Sequence, residues 1–255
     1  MILAVDVGNT NIVIGGFTTL GELKFQLRIG TDTKKTTDEY AVLLSSVIAM
    51  HNAVPPFEGI ILSSVVPAVT SALMGALENL SETEVLVVGP GVKTGFEIRL
   101  DDPSELGADL AASTAGALKK YTPPVLVVDL GTATKFTAIS EKGAFLGGSI
   151  LPGVKISADA LFSSAALLSS VSLKDKVNLI GKNTADCIRS GILLGSASMI
   201  DGMIKRYKEE LGENLTVVAS GGLAPQVIPF CKEDIILDEK LVLDGLYAIY
   251  IKNKK

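Results

Sequence analysis

The chain is poor in the residues that build histidine and cysteine sites. Its 255 residues include one histidine and two cysteines. A single histidine, His51, argues against a Ser-His triad and against a histidine-based metal site. The two cysteines, Cys187 and Cys231, lack metal-ligand spacing and indicate no disulfide framework. That usage is typical of a reducing compartment, so we expect a cytoplasmic protein.

The chain also has fewer positively than negatively charged residues. The chain has 23 Lys and Arg against 28 Asp and Glu, a net charge of −5. This balance argues against broad nucleic-acid binding and against docking on an anionic membrane surface. We therefore expect neither nucleic acid nor membrane among the partners.

Membrane-directed segments are not evident either. The first residues carry no basic cluster and reach Asp6 at once, so we expect no signal peptide. The longest uncharged stretch, residues 59–77, contains Pro67 and several Ser and Thr residues and is flanked by acids. This composition predicts a strand, a turn and a helix rather than a membrane span.

Two common nucleotide-binding motifs are missing. The chain contains no Gly-x-x-x-x-Gly-Lys-[Ser/Thr] loop, and no Gly-x-Gly-x-x-Gly follows the first strand. Neither a P-loop nor a Rossmann dinucleotide site is therefore supported.

Two Asp-x-Gly motifs, at Asp6 and Asp129, are the most informative feature that is present. Each follows a strand-like apolar run and leads into a glycine turn, small hydroxyl or amide residues and a second β-rich run. A single motif of this kind is often an ordinary turn at a strand end. Two in matching context, about 120 residues apart, predict a duplicated α/β fold that closes a cleft around a polyphosphate.

The chemistry of these motifs suits phosphoryl transfer. Glycine allows backbone N–H groups to approach a phosphate closely, and Thr and Asn add donors with little bulk. A carboxylate would repel a phosphate, so its place there is to hold cations that bridge to the phosphate. Phosphoryl transfer depends mostly on positioning and charge neutralisation.

The chain is long enough for one large or two medium domains, and 47% hydrophobic residues predict a large core. The Tyr-Thr-Pro-Pro segment at 121–124 is the best boundary, which divides the chain into 1–121 and 122–255. Hydrophobic periodicity and turn signals predict strands at 12–17, 24–29, 59–63, 85–88 and 216–220, and helices from the capping box at Thr36, at 67–80, at 106–121 and at 184–211.

Three glycines in the long predicted helix, Gly191, Gly195 and Gly202, are costly by helix propensity. Two explanations stay open at this point. Either another helix, such as one from a second subunit, approaches closely along this face, or the glycines serve packing within the chain.

Seven segments in order resemble the type III pantothenate kinases across nearly the full length. They are residues 6–11, 89–95, 107–109, 129–134, 147–148 with 152–153, 181–184 and 220–224. The resemblance implies the fold of the acetate kinase, sugar kinase, Hsp70 and actin superfamily, with two similar domains around a cleft. It also implies a homodimer that phosphorylates the terminal hydroxyl of pantothenate with ATP, the first step of coenzyme A biosynthesis.

The resemblance also implies roles for individual residues. Asp109 would be the general base, Asp129 would hold a monovalent cation, K⁺ or NH₄⁺, and Asp6 would lie near Mg²⁺. The residues expected to contact ATP are Asp6, Val7, Gly8, Asn9, Thr10, Asn11, Ile12, Val13 and Thr132. The residues expected to line the pantothenate pocket are Leu100, Gly107, Ala108, Asp109, Leu110 and, from the partner subunit, Thr184. By its position alone, Asp109 could also be a first-turn acid that stabilises a helix dipole.

The chain departs from the family pattern at two substrate anchors. Leu110 stands where the family motif Gly-Ala-Asp-Arg has arginine, and Leu100 stands where the family usually has tyrosine. Lys135, at a position that is usually a small hydroxyl residue, is a candidate replacement cation. The alternatives are a working kinase with another anchor, a kinase of a less polar acceptor, and a catalytically weak nucleotide-binding regulator.

Overall fold

The computed structural model describes residues 1–164, 171–173 and 176–254. The chain forms two compact units. The first comprises Met1–Phe96, Leu100–Lys119 and the described residues from Lys240 onward; the second comprises Glu97–Arg99 and the described residues between Lys120 and Glu239. The chain thus returns to the first unit after completing the second.

In both units the strands are three consecutive ones followed by two that are separated by helices. The strands are β1 (Ile2–Val7), β2 (Asn11–Phe17), β3 (Leu23–Gly30), β4 (Gly59–Ser64), β5 (Val85–Val87), β6 (Val125–Leu130), β7 (Ala133–Ile139), β8 (Phe145–Pro152), β9 (Thr216–Ser220) and β10 (Ile236–Leu237). The helices are α1 (Thr37–Ala49), α2 (Pro67–Ser81), α3 (Ala108–Lys120), α4 (Val154–Ser164), α5 (Thr184–Leu211), α6 (Ala224–Val227) and α7 (Leu241–Asn253), with 3₁₀ turns at Pro103–Glu105 and Ile228–Phe230.

The two sheets have one topology. The first has the strand order β3-β2-β1-β4-β5, and the second has β8-β7-β6-β9-β10. In each, an antiparallel three-stranded meander is followed by parallel strands that add to its first strand. This repetition confirms the predicted duplicated α/β fold. The first strand of each sheet is buried on both faces, which explains its unbroken apolar run.

The alternation of β1 divides the core of the first unit into two layers. Leu3 and Val5 belong to a cluster that α1 and α2 complete. Ile2 and Ala4 belong to a second cluster, which contains residues of α3 and α7. Because side chains along a strand alternate between faces, Asp6 lies on the face that α3 and α7 cover.

The core of the second unit is built on β6, β9 and α5. Leu193, Ala197 and Ile200 of α5 pack with the apolar residues of these strands. By length and composition α5 could cross a membrane, but 44% of its most apolar window is buried inside the fold. Because α5 supplies apolar side chains to the core cluster, it serves as a core helix of the second unit.

The opposite face of α5 carries the three costly glycines. Gly191, Gly195 and Gly202 are exposed. Beyond the helix's own backbone, a methyl group placed on any of them would meet no described atom within 4 Å. Close packing within the described part of the chain therefore does not explain these glycines.

Candidate active site

The β1–β2 turn places the first Asp-x-Gly motif at the end of β1. Across the ladder Asp6 pairs with Val13 of β2, and on its other side it pairs with Ser63 of β4. The turn closes through the Gly8 N–H, which donates to the Asn11 carbonyl at 3.0 Å. Asn9, at its tip, is exposed.

The segment after β3 holds this turn in place. The Thr31 hydroxyl donates to the Gly8 carbonyl at 2.6 Å, and the Thr31 N–H donates to the Thr10 carbonyl at 3.0 Å. Two carbonyls of the turn are thus bonded to Thr31. The turn is fixed by a residue that sequence analysis did not connect with it, because the contact depends on the meander.

Ser63 is a second residue that the sequence analysis missed. It is fully buried beside Asp6, and its hydroxyl has no hydrogen-bond partner among the described residues. The matching position in the second unit is Ser220, which is buried and pairs with Asp129. The available signal was a serine at the end of an apolar strand, in Ile-Ile-Leu-Ser and Val-Val-Ala-Ser.

The second Asp-x-Gly motif occupies the equivalent turn between β6 and β7. Asp129 pairs across the ladder with Lys135, and the Lys135 Nζ lies 2.8 Å from the Asp129 Oδ2. The Asp129 side chain is 22% exposed and the Lys135 side chain is 18% exposed. The turn closes through the Gly131 N–H, which donates to the Ala133 carbonyl at 3.1 Å. The lysine that sequence analysis considered as a substrate anchor thus contacts the second motif's carboxylate.

Two glycines let other loops close onto this second turn. Gly221 has a φ of +97°, and a Cβ on it would lie 2.6 Å from the Asp129 Oδ1. A Cβ on Gly153 would overlap the carbonyl oxygen of Thr132. Both glycines belong to segments that the sequence analysis singled out, and their shared role is backbone contact with the β6–β7 turn.

Asp109 lies in the first turn of α3 and is half-buried. Its Oδ1 accepts the Leu110 N–H at 2.8 Å. A Cβ on Gly107 would lie 2.8 Å from this same oxygen, so the carboxylate folds back over a glycine that leaves room for it. The residue beside it, Leu110, is half-buried, as is Leu100 shortly before the 3₁₀ turn.

The predicted site residues therefore fall into three local groups. The first is the β1–β2 turn, and the second is the start of α3. Both groups belong to the first unit, and α3 packs Ala111, Ala112 and Ala115 into the cluster on the face of the sheet that carries Asp6. The third is the β6–β7 turn of the second unit, where Thr132 is exposed.

Thr184 is not part of these groups. It is the exposed first residue of α5, and Asn183 caps the helix by accepting the Asp186 N–H at 2.9 Å. A Cβ on Gly181 would overlap the backbone of this first helical turn. Gly181 and Asn183 thus shape the start of α5, which is the local reason for the Gly-Lys-Asn-Thr segment.

Within the described ranges, no three His, Cys, Asp or Glu side chains converge on a metal-sized site. The carboxylates predicted to hold cations, Asp6 and Asp129, each stand beside a glycine turn at the end of a central strand.

The family model and the curated relatives that match this chain carry the same family name. The sequence model of the type III pantothenate kinases matches residues 2–206. The protein of that name from Moorella thermoacetica is 43% identical over 254 residues, which is 99% of this chain and 100% of the relative. The one from Koribacter versatilis is 41% identical over 264 residues, which is 100% of this chain and 96% of the relative.

Solved structures give the fold. The activator of 2-hydroxyisocaproyl-CoA dehydratase from Clostridium difficile, with bound ADPNP, has a TM-score of 0.58 at 11% identity and covers 97% of this chain and 94% of its own. The ROK hexokinase from Thermus thermophilus has a TM-score of 0.52 at 14% identity and covers 99% of each chain. These likenesses confirm the predicted actin-like ATPase and sugar kinase fold.

Proposed function

This chain belongs to the type III pantothenate kinase family, and we propose that its two Asp-x-Gly turns and Asp109 carry out the family's reaction. That reaction is the ATP-dependent phosphorylation of pantothenate, in coenzyme A biosynthesis. The observation that supports this assignment of roles most is the repeated topology. Two sheets of one strand order each bring an aspartate and a glycine turn to the end of the central strand.

The β1–β2 turn is proposed to bind the ATP phosphates. Gly8 keeps the backbone accessible, while Asn9 and Thr10 offer side-chain donors on the exposed side of the turn. Asp6 would act through Mg²⁺, which neutralises charge on the phosphates when bound. The remaining residues of this ATP group are Val7, Asn11, Ile12, Val13 and, in the second unit, Thr132.

Asp109 is proposed as the general base for the terminal hydroxyl of pantothenate. A kinase base must accept the hydroxyl proton as the phosphoryl group transfers. The Leu110 N–H and the space over Gly107 set the orientation of the carboxylate before any substrate arrives. A fixed orientation lowers the cost of reaching the reactive geometry.

The acceptor pocket is proposed to include Gly107, Ala108, Leu100 and Leu110. The two leucines offer no hydrogen-bond donor through their side chains. Losing a desolvated charge-assisted hydrogen bond costs about 2–5 kcal/mol. We therefore expect weaker pantothenate binding here than in relatives that carry the arginine.

We further propose that the active form is a homodimer in which α5 contributes the interface. Gly191, Gly195 and Gly202 expose backbone along one face of this helix, and a methyl group on each would meet open space. Such a strip lets a partner helix approach closely. Thr184, on the first turn of the same helix, would then reach the partner's acceptor pocket.

Cytoplasmic localisation is proposed from the two thiols, which are both free.

A resident monovalent cation does not fit the residues around Asp129. The resemblance implies K⁺ or NH₄⁺ there, but the Lys135 ammonium already lies 2.8 Å from the carboxylate.

A coupled ADP-release assay with and without pantothenate tests the proposed function, with calorimetry of ATP binding beside it. We expect ATP consumption that depends on added pantothenate. Leu100 and Leu110 favour one rival, a nucleotide-binding regulator on the same scaffold. ATP binding without turnover on pantothenate would support that rival, and turnover on a less polar alcohol would show another acceptor.

A further inference from the structure

The two hairpins differ at one informative position. Asp6 and Asp129 occupy matching places at the ends of β1 and β6, and each pairs with a serine on the neighbouring parallel strand. Their partners across the antiparallel ladder are different. Val13 stands opposite Asp6, whereas Lys135 stands opposite Asp129. The cross-strand lysine is therefore a feature of the second turn and not of the repeated hairpin.

The surroundings hold this charge in place. The Lys135 ammonium lies 2.8 Å from the Asp129 Oδ2, and both side chains are at least three-quarters buried. The ladder pairing of β6 and β7 fixes the spacing of the two backbones. By contrast, Lys24 and Glu22 form a pair of similar length on the surface, where the side chains are 47% and 67% exposed. Salt and water screen the surface pair far more strongly.

We propose that Lys135 is a tethered ammonium that supplies a positive charge at Asp129, so that this kinase needs no K⁺ or NH₄⁺. A lysine ε-ammonium is a compact cation with three N–H donors, which makes it a close chemical match for a bound ammonium ion. The part of this inference that concerns ATP rests on the proposed function. The contact itself does not depend on that function.

Electrostatics favours the tethered cation over a free one. Asp129 carries one negative charge, and Lys135 neutralises it without the loss of a free ion's translational freedom. A K⁺ ion beside the same carboxylate would meet a like charge a few ångströms away, where partial burial reduces screening. Gly221 also brings backbone against the Asp129 Oδ1, which narrows the approach from that side.

Thermal unfolding of the full chain without nucleotide tests the contact alone. KCl would replace choline chloride at constant ionic strength, and the melting temperature would be recorded. We expect no change for the wild-type protein. Lys135→Thr, which removes the ammonium beside Asp129, should show a melting temperature that rises with K⁺ and saturates. Lys135→Arg keeps a cation and should not respond. Lys24→Met, which removes the exposed ion pair between Lys24 and Glu22, is the matched control for loss of an ion pair.

ADP binding by calorimetry, in the same two salts, tests the link to the nucleotide. We expect the wild-type dissociation constant to agree between salts within about twofold, since nonspecific screening is matched at equal ionic strength. For Lys135→Thr, K⁺ should tighten ADP binding by about 5- to 150-fold, the usual range of coupling between two ligands. The initial rate with ATP and pantothenate should show the same contrast.

The outcomes separate the two proposals. A saturable response of the wild-type protein to K⁺, in melting temperature or in ADP affinity, would overturn the tethered-cation proposal even if Lys135→Thr cannot be purified. A folded Lys135→Thr that ignores K⁺ would overturn it as well. Absence of pantothenate-dependent ATP consumption in either salt, with the melting contrast intact, would count against the proposed function and leave the tethered cation supported.

Discussion

Gly245 of α7 crosses α3 at Gly116, and neither residue has space for a side chain. A Cβ on Gly245 would overlap the carbonyl oxygen of Ala112 and lie 2.7 Å from the Gly116 nitrogen. A Cβ on Gly116 would overlap the carbonyl oxygen of Leu241. The last helix of the chain is thus seated in backbone contact with a helix of the first unit.

Gly245→Ala should therefore destabilise the protein. The added methyl group meets a rigid backbone carbonyl, so the helices must separate. Overpacking of this kind typically costs about 1–3 kcal/mol of unfolding free energy, and contact with backbone puts this case at the upper end. Urea unfolding followed by circular dichroism would measure it. Gly30→Ala is the matched control because a Cβ at Gly30 meets no described atom within 4 Å. Equal stability of both variants would show that α7 is not held at this crossing.

Asp109→Asn should lower kcat by about 10²- to 10⁴-fold, the usual contribution of a general base. The amide oxygen can still accept the Leu110 N–H, so folding and ADP affinity should be preserved. Steady-state kinetics and calorimetry would measure both. Asp38→Asn, which changes an exposed first-turn acid of α1, is the control. If kcat survives in Asp109→Asn, the carboxylate serves the helix dipole and not the reaction.

Restoring the two polar anchors should strengthen pantothenate binding. Leu110→Arg combined with Leu100→Tyr adds side-chain donors to the proposed acceptor pocket, and we expect the pantothenate KM to fall by at least about tenfold, which corresponds to about 1.4 kcal/mol. Initial rates at varied pantothenate would measure the change. Leu20→Arg places the same charge on a residue that is 95% exposed, and should have no effect. An unchanged KM in the double variant would mean that the missing anchors do not limit binding.

The capping box of α1 should make the protein less stable in acid than at neutral pH. The Glu39 carboxylate accepts the Thr36 N–H at 2.7 Å, and this bond lowers the pKa of Glu39 below its ordinary value of 4.5. The stabilising contribution is therefore complete above pH 4.5 and is lost as the pH falls through the lower folded pKa. Wild type and Glu39→Gln should differ in unfolding free energy at pH 7 and converge in acid. A difference that does not shrink as the pH falls below 4.5 and into the acid transition would contradict this account.

Local elements were predictable because their signals are local. The capping box at Thr36 is present, α1 follows it, and the predicted strands and helices occur with small shifts at their ends. The two Asp-x-Gly turns also form as predicted. Each of these features depends on residues a few positions apart, where turn chemistry and side-chain periodicity act directly.

The surroundings of the candidate site were not predictable in the same way. Nothing in the sequence connects Ser63 with Asp6, because their proximity depends on the parallel pairing of β1 with β4. The contact of Lys135 with Asp129 depends in the same way on the pairing of β6 with β7. A shift of one residue in the β6–β7 register would move Lys135 to the other face of the sheet.

By itself, the sequence determined the paired aspartate–glycine turns, the α/β class and the family, because short-range patterns and ordered motifs carry that information. Only the tertiary structure decided that α7 packs against α3 through Gly245 and Gly116, and that Lys135 neutralises Asp129. The first contact depends on how two helices pack, and the second depends on the pairing register of two strands. Neither leaves a signal in the residues immediately around it.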